Sequence, residues 1–206
     1  MRTTLALVLI AFGALSCGDD GGGVAVDARY QVACPLDTSG PACGSASDPV
    51  DVLGFNDEDV ENDEGVVRTI RATCSAVDAA DGSKNVNFSL GYGNDPLLSV
   101  FGLVIGADGG PVLGSSCFVE IRDDGNTFGG STFGSCGNAV PTEDQPCQFS
   151  AFTYDDDGEF GPELVTTLLC RNLRAPAAPM DIVRDVTFPT QRNMPAQIKL
   201  INCEGF

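Results

Sequence analysis

The 206-residue chain carries 29 acidic against 11 basic residues, a formal charge of −18, and it contains neither histidine nor tryptophan. A surface this acidic repels polyanions, which argues against nucleic acid and anionic lipid headgroups as partners. The lack of histidine excludes Ser-His-Asp and Cys-His pairs and any imidazole base.

Met1–Thr4 bears one cation, Arg2, and Leu5–Leu15 (LALVLIAFGAL) is an uncharged apolar run. A membrane-spanning helix needs about 20 such residues, so the run reads as the hydrophobic region of a secretory signal. It ends Ala14-Leu15-Ser16-Cys17. These residues resemble the lipobox of bacterial lipoprotein precursors, in which small residues precede an invariant cysteine. The resemblance covers residues 1–17. It implies cleavage after Ser16, acylation of Cys17, folding outside the cytoplasm and the lipid bilayer as a partner. One acyl chain anchors marginally, at about 0.8 kcal/mol per buried methylene, so two or three are needed for durable attachment. Gly18 follows the cysteine where aspartate does not. By resemblance to enteric lipoproteins this implies release to the outer membrane, with the periplasmic and surface faces both open. Loss of residues 1–16 removes Arg2 and leaves 10 basic against 29 acidic residues, a formal charge of −19.

Gly18–Gly23 (GDDGGG) cannot build a core, and residues 17–29 are expected to form a flexible tether. Residues 30–206 are long enough for a single domain with a real core. Within it the apolar residues recur at every second position, as a strand with one buried face requires. Val66, Ile70, Ala72 and Cys74 form one such face, followed by Val86, Phe88, Leu90 and Tyr92. Cys117, Val119 and Ile121 form the next, then Ile182, Val186 and Phe188, and last Ile198 and Leu200. Leu97–Ile105 and Leu164–Leu169 are apolar on both faces and read as central strands. Turn signals separate these runs: Asp81-Gly82, Asn94-Asp95-Pro96, Asp108-Gly109-Gly110, Asp124-Gly125-Asn126 and Asp157-Gly158. No segment keeps a 3.6-residue stripe. The expected fold is an all-β, disulfide-bridged antiparallel β-sandwich, Ig-like or jelly-roll-like.

Setting Cys17 aside leaves Cys34, Cys43, Cys74, Cys117, Cys136, Cys147, Cys170 and Cys203. An even set in an exported chain reads as a disulfide framework. No C-x2-C pair occurs, so zinc is disfavoured. If Tyr154–Glu163 bounds a hairpin loop, Cys147 lies opposite Cys170, close enough to bridge. Cys136–Cys147 is the rival pairing, and Cys34–Cys43 would close the loop between Pro35 and Ala42.

Two acidic loops are the candidate cation sites. Asn56–Glu64 (NDEDVENDE) holds six acids, with Asp57, Asp59 and Glu61 at alternate positions. Tyr154–Glu159 offers Asp155, Asp157 and Glu159. Calcium takes 6–8 oxygen ligands, so calcium is the one candidate cofactor, although neither loop has EF-hand spacing and a solvated acidic loop is the simpler reading. Gly91–Leu97 resembles a single unit of the calcium-binding nonapeptide repeat, which works only in tandem. There is no G-x-S-x-G elbow and no phosphate-binding glycine motif. A carboxylate pair of glycosidase type is the surviving catalytic option, and no motif selects one. Three tyrosines and no tryptophan give little for stacking sugars, and the twelve phenylalanines read as core. The expectation is therefore a lipid-anchored cell-envelope protein with a non-catalytic interaction or structural role toward an envelope or extracellular partner. A calcium-dependent binding module and a carboxylate hydrolase are its rivals.

Overall fold

Alternating apolar and polar residues build strands, and the chain is made of little else. A computed structural model describes residues 23–35, 48–61, 64–93, 97–112, 117–123, 125–129, 136–137, 140–142, 144–155, 160–175 and 183–205. Its strands are β1 (Ala25–Ala33), β2 (Val50–Phe55), β3 (Asp59–Glu61), β4 (Val67–Asp78) and β5 (Lys84–Tyr92). They continue with β6 (Leu97–Ile105), β7 (Phe118–Asp123), β8 (Asn126–Gly129) and β9 (Cys136–Gly137). The last are β10 (Cys147–Asp155), β11 (Glu163–Arg174), β12 (Val183–Thr187) and β13 (Ala196–Ile201).

Two sheets pack face to face, as the periodicity predicts. One is a six-stranded meander running from β3 to β8 in chain order. Its β7–β8 connection is a tight hairpin with Asp123 opposite Asn126. Gly125 supplies the positive φ (70°) that such a turn needs. The other sheet has seven strands, with β2 beside β1 at one edge and β11, β10 and β9 toward the other. The pairings are antiparallel except for the short β9–β10 pair, which sets Cys136 beside Cys147 in parallel.

Between β1 and β11 a single lane is filled by two strands. β12 pairs with Gln31–Ala33 of β1 and β13 with Ala25–Arg29, both antiparallel. Partner numbers add to 218 in the first pairing and 226 in the second, a difference of eight. Residues 188–195 are therefore an eight-residue excursion from one continuous lane. It folds on itself through Phe188 N–H to Met194 O (2.8 Å) and Met194 N–H to Gln191 O (2.9 Å).

The inward faces meet in one core. Val26, Ala28, Tyr30 and Val32 come from β1, and Leu164, Leu168, Ile198 and Leu200 from its neighbours. They face Ile70, Ala72, Val86, Phe88, Leu90, Leu98, Val100, Val119 and Ile121. Each large side chain so buried is worth about 1.5–3 kcal/mol. Phe88 meets Phe149 of the other sheet edge-on, with ring centroids 6.5 Å apart, the geometry aromatic quadrupoles favour.

The exposed side of β4 does not stay unpaired. Asp57 N–H donates to Ile70 O (2.9 Å), and Ile70 N–H to Glu58 O (2.7 Å). Further along, Ala76 N–H donates to Glu204 O (2.7 Å) and Glu204 N–H to Cys74 O (3.0 Å). The Cys74–Cys203 disulfide locks this second seam. Covering an edge in this way removes a template for intermolecular strand pairing.

Several expectations need correction or sharpening. The tether expected over residues 17–29 ends earlier, because Ala25–Arg29 already pair with β2 and β13 and Val26 and Ala28 are buried. Val66 precedes β4 and is exposed, although the face it was assigned to continues as expected through Ile70, Ala72 and Cys74. β11 is central, yet only Leu164, Thr166, Leu168 and Cys170 of its alternating set are fully buried. Cys147 is bonded to Cys170, which retires the Cys136–Cys147 pairing. Cys34 and Cys117 are also disulfide-bonded, and the Cys34–Cys43 pairing falls outside the described residues. So do the signal and Cys17.

Tyr30 shows how the core constrains chemistry. Its hydroxyl donates to Leu90 O (3.3 Å), and burial pushes its ionisation far above the ordinary tyrosine range, helped by Tyr92 and Asp123. A raised folded-state value means stability that is complete below about pH 10, the unfolded value, and is lost as pH rises further. Alkaline unfolding monitored at the tyrosinate absorbance should therefore show Tyr30 ionising only as the chain unfolds. Tyr30→Phe is expected to flatten the alkaline limb while costing about 1 kcal/mol at neutral pH.

Candidate functional site

A cavity of about 510 Å³ opens where the end of β8 meets the end of β11 and the start of β12. Gly129 forms one wall, Pro141, Thr142, Asp144 and Pro146 another, and Arg171, Asn172, Leu173, Arg174 and Val183 the floor. Two features of local sequence create it. At Gly129 the backbone has φ 81° and a Cβ would collide with Val119 O, so only glycine lets β8 approach so closely. In β11 the register with β12 shifts between Cys170 and Leu173, and Asn172 takes the left-handed conformation at φ 52°. Asparagine tolerates that conformation better than most residues. The resulting bulge turns the strand outward.

A buried carboxylate holds the bulge. Asp185 of β12 accepts from Asn172 N–H (2.9 Å) through one oxygen and from Arg171 Nη1 (2.6 Å) through the other. The second guanidinium arm, Nη2, donates to Arg192 O of the excursion (2.6 Å), and Arg171 N–H donates to Pro146 O (2.8 Å). Arg171 therefore fastens the excursion, the bulge and the 140–146 segment together, and both its arms are committed within the protein.

The next residue along β12 makes a second buried pair on the opposite face. Arg184 Nε lies 3.0 Å from Asp123 Oδ2, with side chains only 4% and 6% exposed. Its guanidinium carbon sits 5.0 Å from the Phe128 ring centroid, within cation–π range. This pair spans the two sheets, since Asp123 ends β7.

Chemically, the described residues of the cavity offer mixed polar and apolar walls and two arginines but no acid pair. Among the described residues that line it, Asp144 is the one carboxylate, whereas a glycosidase-type site needs two facing carboxyl groups. A second, shallower depression of about 230 Å³ lies on the outer face of the seven-stranded sheet, among Asp27, Arg29, Gln197 and Lys199.

The acidic candidates are placed elsewhere. Asp57 pairs with Arg71, and Asp59 Oδ1 accepts from Thr69 Oγ1 (2.6 Å). Glu61 ends β3, opposite Val67. Asp57 and Asp59 are thus each engaged by a neighbour on β4. Asp155 closes β10 opposite Glu163; Asp157 and Glu159 lie outside the described residues. Among the described residues no group of three or more Cys, Asp or Glu side chains is placed to hold a metal ion.

The residues at the cavity went unremarked in the sequence, though one signal was present. Arg184 is in phase with Val186, so a charge falls on the apolar face of its strand. A cation at such a position asks for a buried partner. The Arg171–Asp185 clamp has no comparable signal, because it depends on a bulge.

Fold and cavity together define a disulfide-bridged antiparallel β-sandwich with an arginine-flanked cavity of mixed polarity beside one end of β11. No protein-family model, curated protein or solved structure matches the chain.

Proposed function

We infer that the chain is a cell-envelope domain anchored to a bilayer through acylated Cys17, most simply at the outer membrane, with a non-catalytic interaction or structural role. The observation that carries this reading is the N-terminal pattern. A cation, an apolar run too short to span, small residues and a cysteine stand in the order that lipoprotein precursors use. Six further cysteines are disulfide-bonded, Cys34, Cys74, Cys117, Cys147, Cys170 and Cys203, in keeping with an oxidising compartment. The non-catalytic part is supported by Arg171, whose guanidinium donors are spent on Asp185 and Arg192 O. A calcium-binding role draws no support from Asp57, Asp59 and Glu61.

Intact-mass measurement on protein extracted from membranes tests the anchor. The expected product begins at Cys17 and carries a diacylglyceryl group with a further acyl chain on its amine. Cys17→Ser should move the protein to the soluble fraction with its fold unchanged. A mature chain bearing a free thiol at position 17, or a chain that keeps residues 1–16, would overturn the reading.

A further inference from the structure

We propose that the sandwich does not swing freely on its anchor but rests against a zwitterionic bilayer through Leu53, Phe55 and Phe160, with the end of β2 and the stretch from Phe160 to Pro162 before β11 facing the lipid. This rests on the anchor reading above and adds an orientation to it.

The geometry starts where the tether meets the fold. Val24 O accepts from Asn56 N–H (2.9 Å), so the chain leaves the domain beside the end of β2. From Cys17 to Val24 the backbone spans seven residues, at most about 25 Å when fully extended and roughly 15 Å as a flexible coil. An acylated Cys17 thus holds this end of the domain close to the headgroups. The same end carries uncovered apolar side chains. Leu53 and Phe55 project from the outer side of β2, 67% and 55% exposed, while Val50 and Val52 point inward. Phe55 lies opposite Ala25 of β1, Ala25 opposite Ile201 of β13, and Ile201 opposite Glu163 of β11. These four lanes span roughly 15 Å at the usual strand spacing. Phe160, 70% exposed, stands three residues before Glu163, and its loop is tied to the same row by Asn202 N–H donating to Pro162 O (2.9 Å).

A large exposed apolar side chain is stable at the headgroup boundary, where an apolar surface settles about 5–10 Å deep. Three such side chains would bind a vesicle only weakly by themselves. Tethering makes their encounter with the bilayer intramolecular, at an effective concentration in the millimolar range, so weak contacts suffice to orient the domain. Charge selects the lipid. Glu58, whose carboxylate accepts from Phe55 N–H, and Asp155 at the end of β10 border the row and, with the chain's net charge of −18, repel anionic headgroups. Asp57 and Glu163 there are paired with Arg71 and Lys199. The other end of the molecule then points away from the lipid. Arg174 is eleven residues along β11 from Glu163, about 35 Å at strand rise, which carries the cavity outward.

The chain contains no tryptophan, so single-tryptophan variants report depth without background. The lipidated, full-length protein carrying Phe55→Trp, Phe160→Trp or Leu53→Trp is reconstituted into phosphatidylcholine vesicles with brominated acyl chains. Val140→Trp, at a 76% exposed position beside the cavity, is the reference. Flotation and intact mass report anchoring, and thermal unfolding reports folding. Bromide quenching about twofold or more stronger at 55, 160 and 53 than at 140 is expected, since bromines lie within the depth such side chains reach. Floating vesicles with equal quenching at all positions would overturn the docking and leave the anchor standing. Protein that fails to float, with no acyl mass at Cys17, would overturn both. If one variant does not fold, the remaining two lipid-facing positions decide.

Discussion

Replacing Cys74 and Cys203 by alanine is expected to lower stability by roughly 5 kcal/mol, more than removal of Cys147–Cys170 does at roughly 3 kcal/mol. The difference comes from chain entropy. The first bridge joins residues 129 apart and the second joins residues 23 apart, and a cross-link restrains the unfolded chain more as the loop it closes lengthens. A second contribution acts on the folded state. Cys203 positions Glu204 for its two backbone bonds to β4, and without the bridge this short terminal segment is free to fray. Guanidinium unfolding of the two double-alanine variants under non-reducing conditions provides the comparison through the midpoint and slope. Equal losses would mean that loop length does not govern the ranking.

Truncating Asp123 to alanine is expected to cost about 3–5 kcal/mol, because it strands the Arg184 guanidinium in the interior without its counter-ion. The paired replacement Asp123→Leu with Arg184→Met should recover most of that loss, since an apolar pair of similar volume avoids the desolvation that the two charges bear. Methionine also suits the contact with Phe128, given the favourable meeting of sulfur and aromatic rings. Urea unfolding of Asp123→Leu, Arg184→Met and the two combined closes the cycle that gives the coupling energy. A double variant no more stable than Asp123→Ala would show that the pair's charge, and not merely its occupancy, holds the sheets together here.

How far the sequence could be read depended on what each strand is made of. β4, β5 and β7 combine β-branched or aromatic residues with alternation, and their buried faces follow the pattern from Ile70 onward, whereas β6, apolar on both faces, buries Leu98, Ser99 and Val100 in a row and exposes Phe101. β1 and β2 were missed although Val26, Tyr30, Val32, Val50 and Val52 alternate in them, because β1 follows the glycine-rich run 18–23 and β2 is only six residues long. The Cys147–Cys170 bridge is instructive because two one-residue effects cancel. Asp155, not Tyr154, faces Glu163, and a register shift between Ser150 and Thr153 restores the alignment by the time the strands reach the cysteines. Periodicity has no access to such a shift. The acidic loops drew notice through charge density, which says nothing of where carboxylates point. Asp57 and Asp59 are engaged by Arg71 and Thr69 at the corner they help to build. The clamp at the cavity joins Arg171 to a residue fourteen positions away across a bulge, a long-range arrangement that composition does not encode.

The eight-residue detour in the β12–β13 lane has a practical meaning. Thr187 sits opposite Gln31, and Ala196 precedes the run that begins with Gln197 opposite Arg29, so Tyr30 is the next seat for Ala196. Excising residues 188–195 would splice Thr187 directly onto Ala196 with every following side chain still on its own side of the pleat, because eight is an even number. The position is thus a natural cassette. Foreign peptides of even length should be accepted there without inverting the interior, whereas odd-length inserts must supply a kink of their own.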